Sequence, residues 1–280
     1  MKNTKRSVAK VIYIIILVFA SIITIYPLLY TVSIAFSPNP IAMSASIIPF
    51  ADGFSLNNFN TLFFNYSFFA WIKNTLIVSV GVVLLTIICC TLGAYVFSRF
   101  KFPMKKGMML SILILQIFPT FIGMRAIYVI VDRIGGHDEL WALILIYAAA
   151  NIPYNTWLIK SYLDTIPIAL DEAARIDGAN HFMVFRKIIL PMLKPMIVFL
   201  AITTFTGPWL DFIYPRLILS SDTKMTLGPK LLEFMGNETT SSQFTVFAAG
   251  ALVVAVPFII VFLLGQKAMV TGLGAGAVKG

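Results

Sequence analysis

The sequence predicts an all-α membrane protein with six transmembrane helices. Of its 280 residues, 59% are hydrophobic and only 12% are charged, whereas about a quarter of the residues in a soluble domain are charged. The apolar residues also form long runs, near or above the roughly 20 residues that a helix needs to cross the hydrocarbon core of a bilayer. Because these runs do not alternate polar and apolar residues, as transmembrane β-strands do, we predict helices.

Six apolar runs define a single transmembrane domain over residues 1–280. The predicted spans cover residues 12–36, 71–97, 108–131, 140–159, 196–219 and 244–265. The first run is longer than the apolar region of a cleavable signal peptide, so we expect it to remain in the protein. Pro119, Pro153 and Pro257 lie inside spans, where a proline either kinks the packing or marks a flexing point near a transport path. The end of the fifth span is open, because Asp211 interrupts its apolar run.

Basic residues predict the orientation in the membrane. Fifteen of the 21 Lys and Arg residues lie in segments that an even span count places on one side. These segments are residues 1–10, 98–107, 160–195 and 266–280. The positive-inside rule places both termini and the 160–195 segment in the cytoplasm. Part of the net charge of +9 is therefore expected to lie against anionic lipid headgroups, and no nucleic-acid partner is predicted.

The sequence offers little for catalysis or metal binding. Its two histidines, His137 and His181, fall on opposite sides of the predicted membrane, so they cannot share a metal site or a triad. No P-loop motif occurs, so the chain cannot bind ATP in that manner. Cys89 and Cys90 are adjacent within an apolar run and are interpreted as packing residues. An enzyme is therefore disfavoured, and no cofactor or metal is expected in this chain.

A small group of polar and aromatic residues near the far end of the fifth span is a candidate substrate path. Trp209 and Tyr214 could stack on a sugar face beside Asp211, although aromatic side chains are also common at membrane interfaces. Arg125 and Arg216 lie on the same side, either reaching to the interface or contributing to a gate. The spans otherwise lack the mid-membrane carboxylates of an ion-driven carrier, which disfavours a self-sufficient carrier or channel.

The 160–195 segment is a long polar stretch between two spans. Pro167 can start a helix, and Asp171 and Glu172 then fall in the first turn, where negative charge is favoured. Gly178 permits a turn with positive φ before a second helix. Pro191 and Pro195 should end that helix and redirect the chain into the fifth span.

Each predicted helix of the segment has an apolar face. Ala169, Ala173 and Ile176 share one face of the first helix, where small side chains let another surface come close. The second helix should turn inward the residues Phe182, Phe185, Ile188 and Ile189, and outward the residues Arg186 and Lys187. Such a basic amphipathic segment could also simply rest on lipid headgroups.

One motif in this segment resembles a known family. The pattern Glu172-Ala173-Ala174, Gly178, Ile188 and Leu190-Pro191 is similar to the EAA loop of ABC importer permeases. Span number, loop placement and the glycine-rich end at 272–280 resemble the MalG-type inner-membrane permease subunits of carbohydrate importers. Residues 207–212 are most similar to maltodextrin-type members. The resemblance implies the MetI-like fold of type I importer permeases.

The resemblance also implies partners and roles. Such a subunit lies in the bacterial inner membrane and pairs with a second related permease to form the translocation path. Two copies of an ATP-binding subunit hold ATP and Mg²⁺, and an extracytoplasmic protein delivers the sugar. Glu172 would pair with a basic residue of the ATPase, and Gly178 would form the corner of the loop.

The same resemblance assigns the C-terminal tail to the ATPase interface. The tail residues assigned to this contact are Gly274, Gly276 and Lys279. The loops at 37–70 and 220–243 are short for the maltose type, which leaves the docking of the sugar-binding protein open. A permease for another sugar or for glycerol-phosphate remains the alternative.

Overall fold

Helices account for all the regular secondary structure of the described chain. The computed structural model describes residues 2–38, 46–117, 120–235 and 243–277. The helices are α1 Lys2–Ala35, α2 Asn57–Phe64, α3 Phe68–Arg99, α4 Lys105–Ile114, α5 Thr120–Arg133, α6 Leu140–Leu163, α7 Ala169–Ile176, α8 His181–Val184, α9 Leu190–Met192, α10 Lys194–Leu210, α11 Ile213–Ile218, α12 Leu227–Glu233 and α13 Gln243–Ala277. A 3₁₀ turn, Leu115–Ile117, follows α4, and a π-helical turn, Phe185–Ile189, joins α8 to α9.

Four of the predicted spans correspond to long apolar helices. Within the described residues, the stretches long and apolar enough to cross a membrane are Lys10–Ala35, Phe68–Arg99, Leu140–Leu163 and Gln243–Lys267. A fifth candidate is the bent pair His181–Met192 and Lys194–Leu210, whose axes differ by 72°. The fold class predicted from hydropathy, an all-α membrane protein, is confirmed.

The other two predicted spans are interrupted. Residues 108–131 fall on α4, the 3₁₀ turn and α5, and residues 118–119, including Pro119, lie outside the described residues. The predicted span 196–219 divides into α10 and α11. The break lies at Asp211, whose backbone is extended and whose Oδ1 accepts a hydrogen bond from the Ile213 N–H at 2.8 Å. This local hydrogen bond competes with the helix and starts α11 instead.

The chain divides into two units, Met1–Phe68 with Leu231–Val256, and Phe69–Lys230 with Pro257–Gly280. In the first unit, α2 lies within the predicted 37–70 loop. Its Asn58 is buried and donates from Nδ2 to the carbonyls of Ala35 and Ser37, both at 3.0 Å. The Asn58 Oδ1 accepts from the Thr245 hydroxyl at 3.0 Å. A buried amide with three partners fixes α2 against the end of α1 and the start of α13.

The second unit is built on the close packing of α3 against α6. A Cβ added at Gly81 would lie 2.4 Å from Ile144 Cδ1, and one at Gly93 would lie 3.3 Å from Thr156 Cγ2. Small residues at such crossings let two membrane helices approach closely. Cys90 is fully buried beside this contact, which agrees with its interpretation as a packing residue.

Two buried clusters occupy opposite ends of the α3–α6 pair. The first joins Cys90 and Ala94 of α3 to Ile159 and Leu163 of α6 and to Ile189 of the 160–195 segment. The second contains Val78, Val82, Leu143, Ile146 and Ile218. The pair therefore contacts the 160–195 segment at one end and α11 at the other.

Candidate functional site

Helix α7 places two of the three residues of the Glu-Ala-Ala motif, Glu172 and Ala173, on an exposed face. Glu172, Ala169 and Ala173 are exposed, and Ile176 is 86% exposed. At about 100° per residue these four positions lie within roughly a third of a turn of the helix surface. The predicted shared face of Ala169, Ala173 and Ile176 is therefore present, and Glu172 lies beside it. Ala174 is half-buried on the opposite side.

The buried side of α7 is held by an ion pair that the sequence did not reveal. Arg99 Nε, at the end of α3, lies 2.6 Å from Asp171 Oδ2, and the two side chains are 6% and 7% exposed. From the sequence, Asp171 was interpreted only as a charge near the helix N-terminus. No local pattern connects it to a residue 72 positions earlier.

Gly178 forms the predicted corner after α7. Its φ is +87°, the Ala179 N–H donates to the Ala174 carbonyl at 2.9 Å, and the Gly178 N–H donates to the Arg175 carbonyl at 3.1 Å. These two bonds form a Schellman motif, in which the residue after the C-cap takes the left-handed conformation. The positive-φ turn predicted at Gly178 is therefore present.

The second helix begins at a side-chain cap and buries a slightly different face from the predicted one. Asn180 Oδ1 accepts from the Met183 N–H at 2.8 Å. Val184, Phe185 and Ile189 are buried, whereas Phe182 is 66% exposed. The prediction that Phe182 faces inward is wrong, because Phe182 lies in the first turn of the helix, ahead of the packed stretch that begins at Val184.

The other predicted positions of the second helix divide between its two sides. Ile188 and Leu190 are half-buried, Pro191 is exposed, and Arg186 and Lys187 point outward as predicted.

The segment ends in a sharp bend at Leu193. The 72° bend falls between Met192 and Lys194, and the Leu193 side chain is fully buried there. Pro191 and Pro195 flank it, and each lies in the first turn of a helix. Proline cannot donate the backbone hydrogen bond that would continue the preceding helix, which explains the π-helical turn and the bend. The predicted redirection into α10 is present.

The three candidate substrate-path residues lie in different environments. Trp209 is 2% exposed and packs against Phe205 and Phe258 with ring centroids 5.7 Å away in both cases. Its ring is therefore not open to a sugar in this structure. Asp211 Oδ2 accepts from the Tyr147 hydroxyl at 2.7 Å, and the Tyr147 and Tyr214 rings meet edge to face at 6.0 Å.

Tyr147 is the residue that sequence reasoning missed in this group. It lies in α6, far from Asp211 in the sequence, and only 8% of it is exposed. A tyrosine inside an apolar run needs a hydrogen-bond partner when it is buried, so it was a detectable signal. Asp211 and Tyr214 therefore both contact Tyr147, whereas Trp209 packs elsewhere, against Phe205 and Phe258.

The turn between α5 and α6 is hydrogen-bonded to the end of α11 and to the residues that follow it. Asp138 has a φ of +58°, and its N–H donates to the Ile218 carbonyl at 2.8 Å. Its carboxylate accepts from the N–H groups of Ser220 and Ser221, both at 2.9 Å, and from the Ser221 hydroxyl. Burial raises the pKa of Asp138, but these hydrogen bonds and the charge of Lys224 outweigh it and lower the pKa to about 2.

The cavity along α5 and α6 has little polar character. It has a volume of about 580 Å³ and is lined mainly by aliphatic side chains, including Ile127, Ile130 and Leu145, with Tyr214 among them. Sugar hydroxyls need hydrogen-bond partners when they leave water, so this lining is unsuited to them. Among the described residues, no group of three or more His, Cys, Asp or Glu could hold a metal ion.

The predicted tail is mostly helical. Helix α13 continues through Gly274 and Gly276 to Ala277, and Lys279 lies outside the described residues. The predicted contact of Gly274, Gly276 and Lys279 with an ATPase stays a prediction.

The long apolar helices and the bent polar segment define a polytopic helical membrane protein in which α7, between two spans, presents an exposed face. Residues 89–269 match the family model described as binding-protein-dependent transport system inner membrane component. The chain belongs to this family and is an ABC transporter permease subunit. The predicted MalG-type resemblance is confirmed by curated relatives, which are permease subunits and not enzymes.

Two relatives and one solved structure illustrate the similarity. The maltodextrin transport system permease protein MdxG of Bacillus subtilis (strain 168) is 38% identical over 279 residues, which cover 99% of both chains. The galactooligosaccharides transport system permease protein GanQ of the same organism is 37% identical over 281 residues, covering 99% of this chain and 98% of the relative.

The solved structure is a crystal structure of a bacterial ABC transporter involved in the import of the acidic polysaccharide alginate. It matches with a TM-score of 0.82 at 20% identity, covering 93% of this chain and 96% of that chain. This match confirms the fold.

Proposed function

We propose that this chain forms half of the translocation path of an ATP-driven carbohydrate importer and that α7 docks on an ATP-binding subunit. The observation that carries the proposal is the exposed face of α7. Ile176 is 86% exposed although it is a large apolar residue, and Glu172 lies beside it. An apolar anchor next to a carboxylate suits a cleft that offers an apolar pocket and a basic residue.

The arrangement of the segment supports this role. The Gly178 corner separates α7 from the second helix of the segment, and the buried side of α7 is already occupied by Arg99. The segment is therefore anchored on one side and open on the other, which favours docking over resting on lipid headgroups. The basic-residue distribution supports a cytoplasmic position for this face and for both termini.

The proposed partners are those of the binding-protein-dependent transport family to which the chain belongs. A second, related permease completes the path, and two copies of the ATP-binding subunit supply ATP and Mg²⁺. A sugar-binding protein outside the membrane delivers the substrate. A solved alginate ABC transporter in complex with an alginate pentasaccharide-bound periplasmic protein supports this last partner.

Maltodextrins are the proposed substrates, and galactooligosaccharides are the second candidate. The two relatives that transport them, according to their names, are 38% and 37% identical to this chain. A strain lacking this permease, grown on either sugar as its carbon source, separates the two. The gene for this permease is then returned to the strain. If it restores growth on maltodextrin alone, the first candidate is supported, and if it restores growth on galactooligosaccharides alone, the second is supported.

The docking role is tested by Glu172→Gln in the full transporter, reconstituted in proteoliposomes with the binding protein. We expect sugar uptake to fall because the α7 face loses its charge, while the permease pair still assembles. Asp132→Asn is the matched control, since Asp132 is also an exposed carboxylate but lies at the other end of the α3–α6 pair. Equal uptake by Glu172→Gln and Asp132→Asn would contradict the docking role.

A further inference from the structure

The end of α3 contacts the 160–195 segment through a buried ion pair. The Arg99 guanidinium and the Asp171 carboxylate are 2.6 Å apart and almost completely shielded from water. The second carboxylate oxygen of Asp171, Oδ1, is buried and has no hydrogen-bond partner in the described part of the chain. A buried anion with one unsatisfied oxygen depends strongly on its single cationic neighbour. The position of α7 is therefore tied to Arg99.

Arg99 also binds the end of α6. Its Nη1 donates to the carbonyl of Leu163, the last residue of α6, at 3.3 Å, and its Nη2 donates to the carbonyl of Ile166, in the turn after α6, at 3.0 Å. The last carbonyls of a helix lack partners within the helix, and a cation is favoured there. One guanidinium thus joins the ends of α3 and α6 to the first turn of α7.

The neighbouring residues of α3 contact the second helix of the segment. The Tyr95 hydroxyl donates to the His181 carbonyl at 3.3 Å, and the Tyr95 ring lies 5.3 Å from the Phe185 ring. Phe100 follows α3 directly, and its ring lies 4.8 Å from the His181 ring. The end of α3 therefore contacts both helices of the segment, on either side of the Gly178 corner.

The 160–195 segment is joined to α10 by the chain itself, and not by side-chain contacts like those it makes with α3 and α6. This connection runs through the Leu193 bend, where no helix continues from the segment into the span. A displacement of α7 can be absorbed by a change of angle at this bend. The Arg99 contacts contain no hinge, so a displacement of α7 is passed on to α3 and α6. We propose that Arg99 is a positioning residue for energy coupling: through Asp171 and the end of α6 it makes α3 and α6 move with α7. This inference rests on the proposed docking of α7 on an ATPase.

The test uses the complete transporter in proteoliposomes and measures sugar imported per ATP hydrolysed. Arg99→Gln removes the charge and the guanidinium fork, while Asp171→Asn keeps the size of the side chain and loses only the charge. We expect the ratio to fall about tenfold in Arg99→Gln, a size typical of coupling between sites. We expect ATP hydrolysis to continue without its dependence on the sugar-loaded binding protein, a change that mere loss of stability would not produce.

Lys160→Met is the control. Lys160 pairs with Asp164 at 2.5 Å close to the same junction, but Asp164 is 44% exposed and the Arg99 contacts remain. Exposed ion pairs contribute little, so the transport ratio should match that of the unchanged protein. A ratio lowered equally by Lys160→Met and Arg99→Gln would overturn the assignment to Arg99.

The remaining outcomes separate the two proposals. If Glu172→Gln lowers uptake while Arg99→Gln and Asp171→Asn keep the normal ratio, the docking role stands and the inference about Arg99 is overturned. If all three variants transport normally, both proposals fail. If Arg99→Gln does not assemble, the ratio of sugar imported to ATP hydrolysed in Asp171→Asn decides: a lowered ratio supports the role of Arg99, and a normal ratio overturns it. If neither assembles, the pair serves folding, and the coupling role is overturned.

Discussion

Replacement of Gly178 by alanine isolates the backbone requirement of the corner after α7. An added Cβ would meet no atom within 4 Å, so the substitution introduces no clash. Its cost comes from the φ of +87°, because the left-handed conformation costs an alanine roughly 1–2 kcal/mol. That energy corresponds to a factor of about 5–30 in the population of the corner.

Gly135 offers a matched control for this experiment. It has a φ of +74°, and a Cβ added there also meets nothing within 4 Å. Gly178→Ala and Gly135→Ala should therefore lower the thermal stability of the purified protein by similar amounts. Only Gly178→Ala should lower the ratio of sugar imported to ATP hydrolysed, because only this glycine orients α7.

A third variant tests the physical reason. Gly178→Asn should lose less stability than Gly178→Ala, since asparagine tolerates the left-handed region better than other residues with a side chain. Unchanged melting of Gly178→Ala, or equal uncoupling by Gly135→Ala, would refute the reasoning.

Two further predictions concern packing and pH. Gly81→Leu should destabilise the protein by about 1–3 kcal/mol, since a Cβ there lies 2.4 Å from Ile144 Cδ1. Gly107→Leu in α4, with open space around it, should not lower the melting temperature, because a glycine is less favourable in a helix than a residue with a side chain. Asp138→Asn should destabilise the protein at neutral pH. The folded-state pKa of Asp138 is about 2, below the unfolded value of about 3.9, so its stabilisation is present above pH ~4 and is lost as the pH falls through about 2. Thermal melting of Asp138→Asn and of the unchanged protein, from neutral pH down to about pH 2, checks the prediction. If the difference between their melting temperatures did not narrow as the pH falls, the prediction would be contradicted.

The span helices show how far hydropathy predicts this fold. The first, second, fourth and sixth runs became helices with ends within a few residues of the predicted bounds, apart from the extensions of α1 and α13 beyond the membrane-length stretch. The fifth was predicted over 196–219 with an unclear end, and the structure divides it at Asp211 into α10 and α11. The helix α2 was missed, because the buried side chain of Asn58 organises it through partners distant in the sequence.

The candidate site was predicted in part. The exposed face of α7 and the Gly178 corner follow from helix periodicity and glycine chemistry, which need only neighbouring residues. Trp209 was proposed as a stacking residue, yet it is enclosed by Phe205 and Phe258. An aromatic residue near a membrane interface looks the same in the sequence whether its ring is open or packed.

The sequence by itself determined the membrane class, the placement of the polar segment between spans and the positions of its corner and bend. These properties depend on the hydrophobicity of a run of residues and on the backbone limits of glycine and proline, and both are local. Only the tertiary structure decided that Arg99 meets Asp171, that Tyr147 meets Asp211 and that Asp138 fastens the residues after α11. Each of these contacts depends on which helix faces pack together, and that choice is made by the whole chain.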